Sequence, residues 1–222
     1  TALNKVSPDQ QHHRVHVLKR DAKLRPINGG IWVTKCALTL VTRTDSGTRV
    51  VESLGPTQLG LGQSGGPELL AILAQLLYKA GWLIGTEDGI NAFNELERQA
   101  ALEAIANHWP ECVAVFNLFY GTTSTCIYGH LSPEGSQAYR IIAGRNGVRM
   151  GCVMGSLGFD IALDPVYKQV QSTFPEMIMY ALTDDFPVFC PPPSDGNWQN
   201  TYSRLVQRLE LVDLLSNRLG IF

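Results

Sequence analysis

Two adjacent carboxylates, Asp184 and Asp185, separate two apolar stretches of the chain, residues 177–183 and residues 186–189. Short apolar runs bounded by polar residues are typical of buried strands, so the pair is predicted to lie in a tight turn between two strands. Adjacent like charges repel, and such a turn is a costly place for them unless a cation lies nearby. Two interpretations stay open here. The pair is either a polar hairpin turn, where Asp is common, or a site for a hard divalent cation such as Mg²⁺.

The composition is that of a globular protein. With 222 residues the chain can form one large domain or two small ones. Hydrophobic residues make up 45% and charged residues 17%, which excludes a disordered chain. The net charge of −2 gives no basic surface of the kind that nucleic acid attracts. This balance argues against a complete, self-sufficient nucleic-acid binder.

The cysteines and the ends of the sequence bear on its location. Five cysteines are scattered without a C-x-x-C pair, which indicates reduced thiols in an intracellular protein. No apolar run is long enough to span a membrane and no signal peptide opens the sequence, so no membrane partner is expected. The first residue is Thr1 and not Met, which indicates a chain that is processed or cut from something larger.

Apolar periodicity predicts helices that alternate with strands. A Gly-rich turn leads into a helix over residues 67–80, with Pro67 in its first turn. The apolar face of this helix is predicted to consist of Leu69, Ile72, Leu73, Leu76 and Leu77. A short buried strand follows from Trp82 and ends at Asp88.

Further helices complete the pattern. Asn94 and Glu97 resemble a capping box for a helix over residues 95–107, which the Trp-Pro pair at 109–110 ends. A helix within residues 147–171, with Pro165 predicted to kink it or to begin a new turn, has a core face of Phe159, Ala162, Leu163, Val166 and Val170. Its acidic residues, Asp160 and Asp164, are predicted to lie on an exposed face. A last amphipathic helix ends at Gly220, and the order of elements predicts an α+β fold with a mostly antiparallel sheet packed on helices.

Three acidic residues are predicted to converge at one edge of this sheet. Asp88 ends one predicted strand, and Asp184 and Asp185 lie at a strand turn about a hundred residues later. If the two strands are neighbours, the three carboxylates can hold two metal ions about 4 Å apart, as in-line phosphoryl transfer requires. Between them lies a segment with Gly147, Gly151 and Gly155, whose glycines allow the backbone to approach a base or phosphate closely.

At this point the sequence resembles the fingers and palm of a reverse transcriptase, most closely those of non-LTR retrotransposons. Four motifs in the family's order carry the resemblance: Leu-Arg-Pro-Ile at residues 24–27, Asp-Gly-Ile-Asn-Ala-Phe-Asn at 88–94, the Gly-rich segment at 147–156 and Leu-Thr-Asp-Asp at 182–185. Residues 56–60 and 64–66 also resemble the segment that precedes the palm in these elements. The resemblance implies a right-hand polymerase palm at residues 81–222, a partial fingers segment at residues 1–80 and no thumb.

The resemblance also implies a role for each residue that matches. Asp88, Asp184 and Asp185 are expected to bind two Mg²⁺ ions and catalyse nucleotidyl transfer. The nucleotide is expected to meet Lys23 and Arg25 at its triphosphate, Phe93 as the steric gate against ribonucleotides, and Gly151 in the Gly-rich motif. Gln63 and Ser64 are expected to touch the template. The partners implied are an RNA template, a DNA primer, deoxynucleoside triphosphates and further domains of one polyprotein, in the nucleus if the chain is a retroelement protein.

Three positions depart from the family's pattern. Leu182 replaces an aromatic residue, Met150 replaces Gln, and Pro187 lies in a strand, where it is expected at an edge or a bulge. A polymerase-like domain that has lost catalysis and serves as an RNA-binding or scaffold module therefore stays an alternative. An RNA-directed RNA polymerase is disfavoured, because Phe93 would clash with a 2′-hydroxyl group.

Other motifs favour structural roles. The G-x-G-x-x-G pattern at residues 60–65 could cradle a phosphate, but it lacks the Lys-Ser/Thr pair of a P-loop and is better interpreted as a helix-entry turn. His12, His13 and His16 could bind a metal, yet they are better interpreted as a solvated segment. Phe93 in any other context would be a core residue, and Arg25 could simply pair with a surface acid.

Overall fold

Helices alternate with short antiparallel strand pairs in the computed structural model of this chain, which describes residues 2–3, 25–26, 32–88, 91–131 and 134–221. The side chains before residue 32 and those of residues 88, 126–131, 140 and 142 are outside the description. The helices of the described part are α1 (Trp32–Thr42), α2 (Asp45–Leu54), α3 (Gly66–Lys79), α4 (Ala92–Glu95), α5 (Arg98–His108), α6 (Val113–Tyr120), α7 (Val153–Thr173) and α8 (Trp198–Asn217). The strands are β1 (Ala2–Leu3), β2 (Arg25–Pro26), β3 (Leu83–Asp88), β4 (Ser124–Leu131), β5 (Gln137–Gly144), β6 (Ile178–Met179) and β7 (Asp185–Cys190).

The predicted α+β class with antiparallel pairing is confirmed. Three strands form a sheet in the order β3-β7-β6, and both pairs in it are antiparallel. The pairs β1–β2 and β4–β5 are separate and also antiparallel. One short parallel bridge joins Gln58, in the connection before α3, to Ala181, just before the turn into β7. The central sheet therefore receives a backbone contact from the first third of the chain.

Helix α7 lies at the centre of the core. Its predicted core face, from Phe159 to Val170, is buried, and the helix runs unbroken through Pro165. Buried side chains from Leu38 on α1 to Ile221 after α8 belong to one cluster with it. Helices on both sides of residue 80 therefore share a core, and the division of the chain into fingers and palm at that residue stays a prediction. Within the described residues, none of the helices combines the length and the apolar character needed to cross a bilayer.

The prediction of an exposed acidic face on α7 is wrong. Asp160 is 1% and Asp164 is 4% exposed. Nearly every residue from Met154 to Leu163 is buried, because this helix is covered on all sides and has no solvent face there. Asp164 is compensated by Lys168, whose Nζ lies 2.7 Å from its Oδ2. Asp160 belongs to the candidate site.

The predicted apolar face of α3 is only partly correct. Leu73 and Leu77 pack on the small cluster formed by Leu59, Leu70 and Phe189. The other members of the predicted face, Leu69, Ile72 and Leu76, are more than half exposed. The helix therefore buries Leu70 and is rotated relative to the prediction. Its own leucines lie on several sides of the helix, so the sequence pattern alone does not define one apolar face.

The prediction of a capping box is also wrong. The capping box does not form: Asn94 lies inside the one-turn helix α4, and Glu97 is the N-cap residue of α5 without a side-chain capping bond. The end of α5 before Trp109 is as predicted.

Pro187 lies in a central strand and not at an edge. Its carbonyl accepts a hydrogen bond from Tyr180 N at 3.3 Å, on the side of β6. In an antiparallel strand the N–H of a residue points to the same side as its C=O, so the missing N–H falls on that side too. Tyr180 directly follows Met179, the last residue of β6, so the bond that Pro187 cannot donate to Tyr180 O is missing just beyond the end of that strand.

Candidate catalytic site at the turn before strand β7

The pairing of β3 with β7 brings two of the predicted acidic residues side by side, at the end of β3 and the start of β7. The register runs from Leu83 opposite Cys190 to Asp88 opposite Asp185. Directly opposite residues of antiparallel strands have Cα atoms about 4.5–5.5 Å apart. The predicted neighbourhood of the two strands is therefore confirmed for the backbone. The carboxylate of Asp88 lies outside the described side chains.

The third acidic residue occupies the turn itself. Leu182 and Asp185 exchange two backbone hydrogen bonds, from Leu182 N to Asp185 O at 2.9 Å and from Asp185 N to Leu182 O at 3.2 Å. Thr183 and Asp184 are left as the two residues of a tight hairpin turn, as the sequence predicts. Asp185 is exposed at the start of β7, and Asp184 is half-buried. Both interpretations of the pair, turn residues and cation ligands, fit this position.

Asp160 gives the site an unexpected buried acid. Burial raises the pKa of Asp160 well above its ordinary value, and the nearby charge of Asp184 raises it further. The Oδ1 atom of Asp160 accepts a hydrogen bond from Gln58 Nε2 at 3.0 Å, while its buried Oδ2 atom has no hydrogen-bond partner within the described residues. The negative charge of Asp184 thus lies beside a buried carboxyl group whose own charged form is already disfavoured. A cation bound at the turn would offset this negative charge.

Phe93 lies in the core and close to the Gly-rich segment. Its side chain is 6% exposed and its ring stacks on Phe159 with 4.4 Å between the ring centroids. Its carbonyl accepts a hydrogen bond from Val148 N at 2.6 Å. The structure thus brings Phe93 and the Gly-rich segment at residues 147–156 together. The role of Phe93 as a steric gate stays a prediction.

Two glycines of that segment are needed for packing against the chain itself. A Cβ atom on Gly147, whose φ is +75°, would lie 2.3 Å from Asn94 O, and one on Gly155 would lie 2.7 Å from Arg149 O. Gly151 is exposed and has a φ of +79°. Its expected role towards the nucleotide is untested.

The remaining predicted residues lie before helix α3 or near the start of the chain. Gln63 and Ser64 are exposed in the connection that enters α3, with Gly65 as the N-cap residue of the helix. That position agrees with the interpretation of residues 60–65 as a helix-entry turn. Arg25 is described by its backbone alone, which pairs with Leu3. Lys23 and the histidines at 12, 13 and 16 lie outside the described residues.

The donor set at this edge is chemically suited to Mg²⁺. Carboxylate oxygens are hard ligands, and Mg²⁺ is usually held by one or two of them together with water or substrate phosphates. Within the described side chains, to which the Asp88 carboxylate does not belong, no group of three or more His, Cys, Asp or Glu residues could hold a metal ion. The carboxylates that fit the ion by their chemistry are those of Asp184 and Asp185, and Asp88 lies opposite Asp185 in the register.

Three residues around the turn were not singled out from the sequence for this place. Gln58 and Tyr167 form hydrogen bonds to the backbone of Thr183, and Asp160 bonds to Gln58. A signal for Asp160 was present, because it is the one charged residue in the otherwise apolar or small run at 153–163. Asp160 and Thr183, the partners that tie Gln58 to the site, lie 102 and 125 residues away and leave no local pattern.

One comparison with known proteins supports the relation to retrotransposons. The chain is 30% identical over 132 residues, 59% of its length, to the retrotransposable element SLACS 132 kDa protein of Trypanosoma brucei gambiense. It spans only 11% of that protein. The expected relation to retrotransposon proteins is thereby confirmed. No protein-family model matches the chain.

Solved structures of telomerase show a weaker likeness. An apo telomerase from Candida tropicalis, truncated from its C-terminal domain, is 16% identical with a TM-score of 0.47, over 86% of this chain and 38% of that one. A telomerase from Candida albicans in complex with the TWJ fragment of telomeric RNA is 10% identical with a TM-score of 0.45, over 80% of this chain and 32% of that one. TM-scores below 0.5 do not establish a shared fold.

Proposed function

We propose that this chain is the catalytic part of a reverse transcriptase, which extends a DNA primer on an RNA template. The observation that carries the proposal is the pairing of β3 with β7, because it sets Asp88 opposite Asp185 while Asp184 occupies the adjoining turn. The similarity to a retrotransposable element protein supports the same function. The activity of the whole protein that contains this chain belongs to the proposal as well.

Asp88, Asp184 and Asp185 are proposed to hold two Mg²⁺ ions. Such ions activate an attacking hydroxyl group and stabilise the charge on a leaving pyrophosphate. The protein's contribution is a rigid turn that fixes two adjacent carboxylates at the end of a sheet strand. Asp184 lies close enough to the buried Asp160 to raise its pKa, and a cation at the turn would favour the charged forms of both carboxyl groups.

The substrates are proposed to meet residues on several elements. Lys23 and Arg25 bind the triphosphate of the incoming nucleotide, and Gly151 lets the backbone approach it. Phe93 excludes the 2′-hydroxyl group of a ribonucleotide. The exposed Gln63 and Ser64 contact the RNA template from the connection before α3.

A second candidate is a polymerase-like module that binds RNA without catalysis. The observation that favours it is the pair of departures at Leu182 and Met150, which both lie partly buried beside the turn and the Gly-rich segment. Leu182 packs in the small apolar cluster around Phe189, so the hairpin can be kept for structural reasons alone. The same experiment separates the two candidates.

The test is Mg²⁺-dependent extension of a DNA primer on an RNA template by the full-length protein and by its Asp184→Asn variant. We expect the variant to extend primers more slowly by several orders of magnitude, because it removes a charge that holds the ions. The matched control is Asp195→Asn, which makes the same change in the exposed loop beyond the far end of β7 and is expected to leave extension unaltered. Extension that is absent in the wild type, or equal in wild type and Asp184→Asn, would contradict the proposal and favour the non-catalytic module.

A further inference from the structure

The backbone of Thr183 adopts a conformation that its side chain disfavours. Its φ is +60°, in the left-handed region, and among the described non-glycine residues only Asn91 shares this feature. A tight hairpin turn with a positive φ at its first position normally has glycine there. A β-branched residue in that conformation is strained, and such strain persists only where the surroundings enforce it. Something must therefore hold the residue that immediately precedes Asp184.

Two buried side chains hold it, one at its N–H and one at its C=O. Thr183 N donates a hydrogen bond to Gln58 Oε1 at 3.0 Å. The hydroxyl of Tyr167 on α7 donates one to Thr183 O at 3.1 Å. Gln58 is 3% and Tyr167 is 2% exposed, so neither bond competes with bulk water. The ring of Tyr167 also packs on Phe186 of β7 at 4.6 Å between centroids.

Both polar atoms of the Gln58 amide group form hydrogen bonds, and these bonds fix the side chain. Its Nε2 donates to Asp160 Oδ1 at 3.0 Å, and its Oε1 also accepts from Gly60 N at 2.8 Å. Its backbone neighbourhood is anchored to the hairpin by two further bonds, from Leu59 N to Ala181 O at 2.7 Å and from Ala181 N to Thr57 O at 2.8 Å. This amide therefore has one orientation available to it, and that orientation presents an acceptor to Thr183.

Gly60 leaves the space that this arrangement requires. A Cβ atom at residue 60 would lie 2.8 Å from Thr183 Oγ1 and 3.0 Å from both Gln58 Oε1 and Thr183 N. Any side chain there would push Gln58 and Thr183 apart. The short segment before α3 is thus shaped to reach the turn closely, from a part of the chain that contributes no acidic residue to it.

We propose that Gln58 and Tyr167 are positioning residues that hold Thr183 in its left-handed conformation and so fix the place of Asp184 at the turn. This inference rests on the proposed function in one respect, the assignment of Asp184 as a catalytic metal-binding residue. Neither residue reaches the reacting atoms. They act by making the turn rigid, which matters because ligand positions must be held within a fraction of an ångström for in-line transfer.

The activity test uses the full-length protein and a substitution that preserves volume. Gln58→Met removes both hydrogen-bonding groups and keeps a side chain of similar size. We expect it to lower kcat for primer extension by about 100-fold, the scale of loss for a misplacement of about 1 Å, with a smaller change in KM for the nucleotide. Tyr167→Phe, which removes one hydroxyl group, should change kcat in the same direction.

The control variant is Gln171→Met on the same helix as Tyr167. Gln171 Nε2 donates to Met177 O at 2.8 Å, so this control also removes hydrogen bonds of a partly buried glutamine, but none to the turn. We expect kcat to stay near the wild-type value. An equal fall of kcat in Gln171→Met and Gln58→Met would show that general destabilisation explains the loss, and would overturn the proposal.

The variant Thr183→Gly distinguishes a positioning role of Gln58 at the turn from a role elsewhere in the protein. Glycine adopts a positive φ without side-chain strain, so a Thr183→Gly turn has less need of the two bonds. In that background Gln58→Met should lower kcat by no more than about threefold. The glycine at residue 183 is not strained at positive φ, so the turn depends less on the hydrogen bond to Gln58. The same loss in both backgrounds would overturn the proposal.

Hydrogen exchange provides a readout that needs no activity. In Gln58→Met the amide of Thr183 loses its acceptor, and a peptide that covers residues 180–186 should exchange at least about tenfold faster, while Gln171→Met leaves it unchanged. If the wild-type protein fails to extend primers but this difference in exchange is seen, the proposed function is wrong and the positioning role of Gln58 is supported. If extension is seen but exchange at the turn is unchanged, the positioning role is wrong and the proposed function is supported.

Discussion

Arg208 on α8 forms a buried ion pair with Glu87 on β3, with 2.7 Å between Nη1 and Oε2 and with side chains that are 1% and 11% exposed. Its Nη2 atom also lies 3.0 Å from the sulfur of Met179 on β6. One guanidinium group therefore ties the last helix to two strands of the central sheet. Glu87 directly precedes Asp88, so the pair supports the strand end on which the candidate site is built.

Removal of the cation alone should strongly destabilise the protein. Arg208→Met leaves the Glu87 carboxylate buried without its partner, and a change of this kind costs about 3–5 kcal/mol. The double variant Arg208→Met with Glu87→Leu removes both charges and should recover most of that loss. Urea unfolding of both variants measures the difference. A double variant no more stable than the single one would show that the packing of Arg208, and not its charge, is what matters.

The effect of Arg208→Met should also depend on pH. Burial raises the pKa of Glu87 above its ordinary value, while the charge and hydrogen bond of Arg208 lower it, so the substitution raises this pKa further. A carboxyl group with a raised pKa in the folded state contributes stability that is present below its unfolded pKa and is lost as pH rises through the folded pKa. The variant should therefore lie closer to the wild type at about pH 4 than at about pH 7. Unfolding free energies measured at both pH values check this, and Glu87→Leu in the same background should abolish the trend.

Local patterns predicted the elements that carry the site. The apolar runs around Asp184 predicted the hairpin, and the strand that ends at Asp88 was predicted from a short apolar run before a polar residue. The residues predicted for the core face of α7 are also all buried, and in the later part of the helix, where Pro165 and Lys168 are exposed, a period of 3.6 residues does mark one buried face. Such patterns depend on residues close together in the sequence, and so they can predict the helices, the strands and the order of the motifs.

Contacts between distant residues could not be predicted in the same way. Gln58 lies 125 residues from Thr183, and Arg208 lies 121 residues from Glu87. The charge of Asp160 predicts a solvent face, because a charged residue on a helix is usually exposed, but the fold buries nearly all of residues 154–163 and supplies Gln58 as a partner. Tertiary packing decides such cases, and a single sequence contains little information about it.

The cysteines are expected to differ sharply in reactivity. Cys36 on α1 is exposed, whereas Cys112 is buried with its sulfur 3.8 Å from that of Met154. Burial, with a smaller effect from the charge of Glu111, raises the pKa of Cys112 to about 11. At about pH 8 only about one Cys112 in a thousand is then a thiolate, the form that reacts with iodoacetamide. Peptide mass spectrometry should find Cys36 alkylated first in the folded protein, and both residues alkylated in urea. Labelling of Cys112 at the rate of Cys36 without urea would contradict the burial.

Substitution of Phe93 tests its two possible roles against each other. If its ring is the steric gate, Phe93→Ala should raise the use of ribonucleotides relative to deoxynucleotides, since the ring excludes a 2′-hydroxyl group by its volume. The substitution also opens a cavity beside Phe159 and should cost about 3–5 kcal/mol of stability, as for other buried phenylalanines. Phe159→Ala is the matched control, because it removes the other ring of the same stacked pair. Single-nucleotide extension with each class of nucleotide gives the selectivity, and urea unfolding gives the stability. We expect both variants to lose stability and only Phe93→Ala to lose selectivity; unchanged selectivity in Phe93→Ala would assign Phe93 to the core alone.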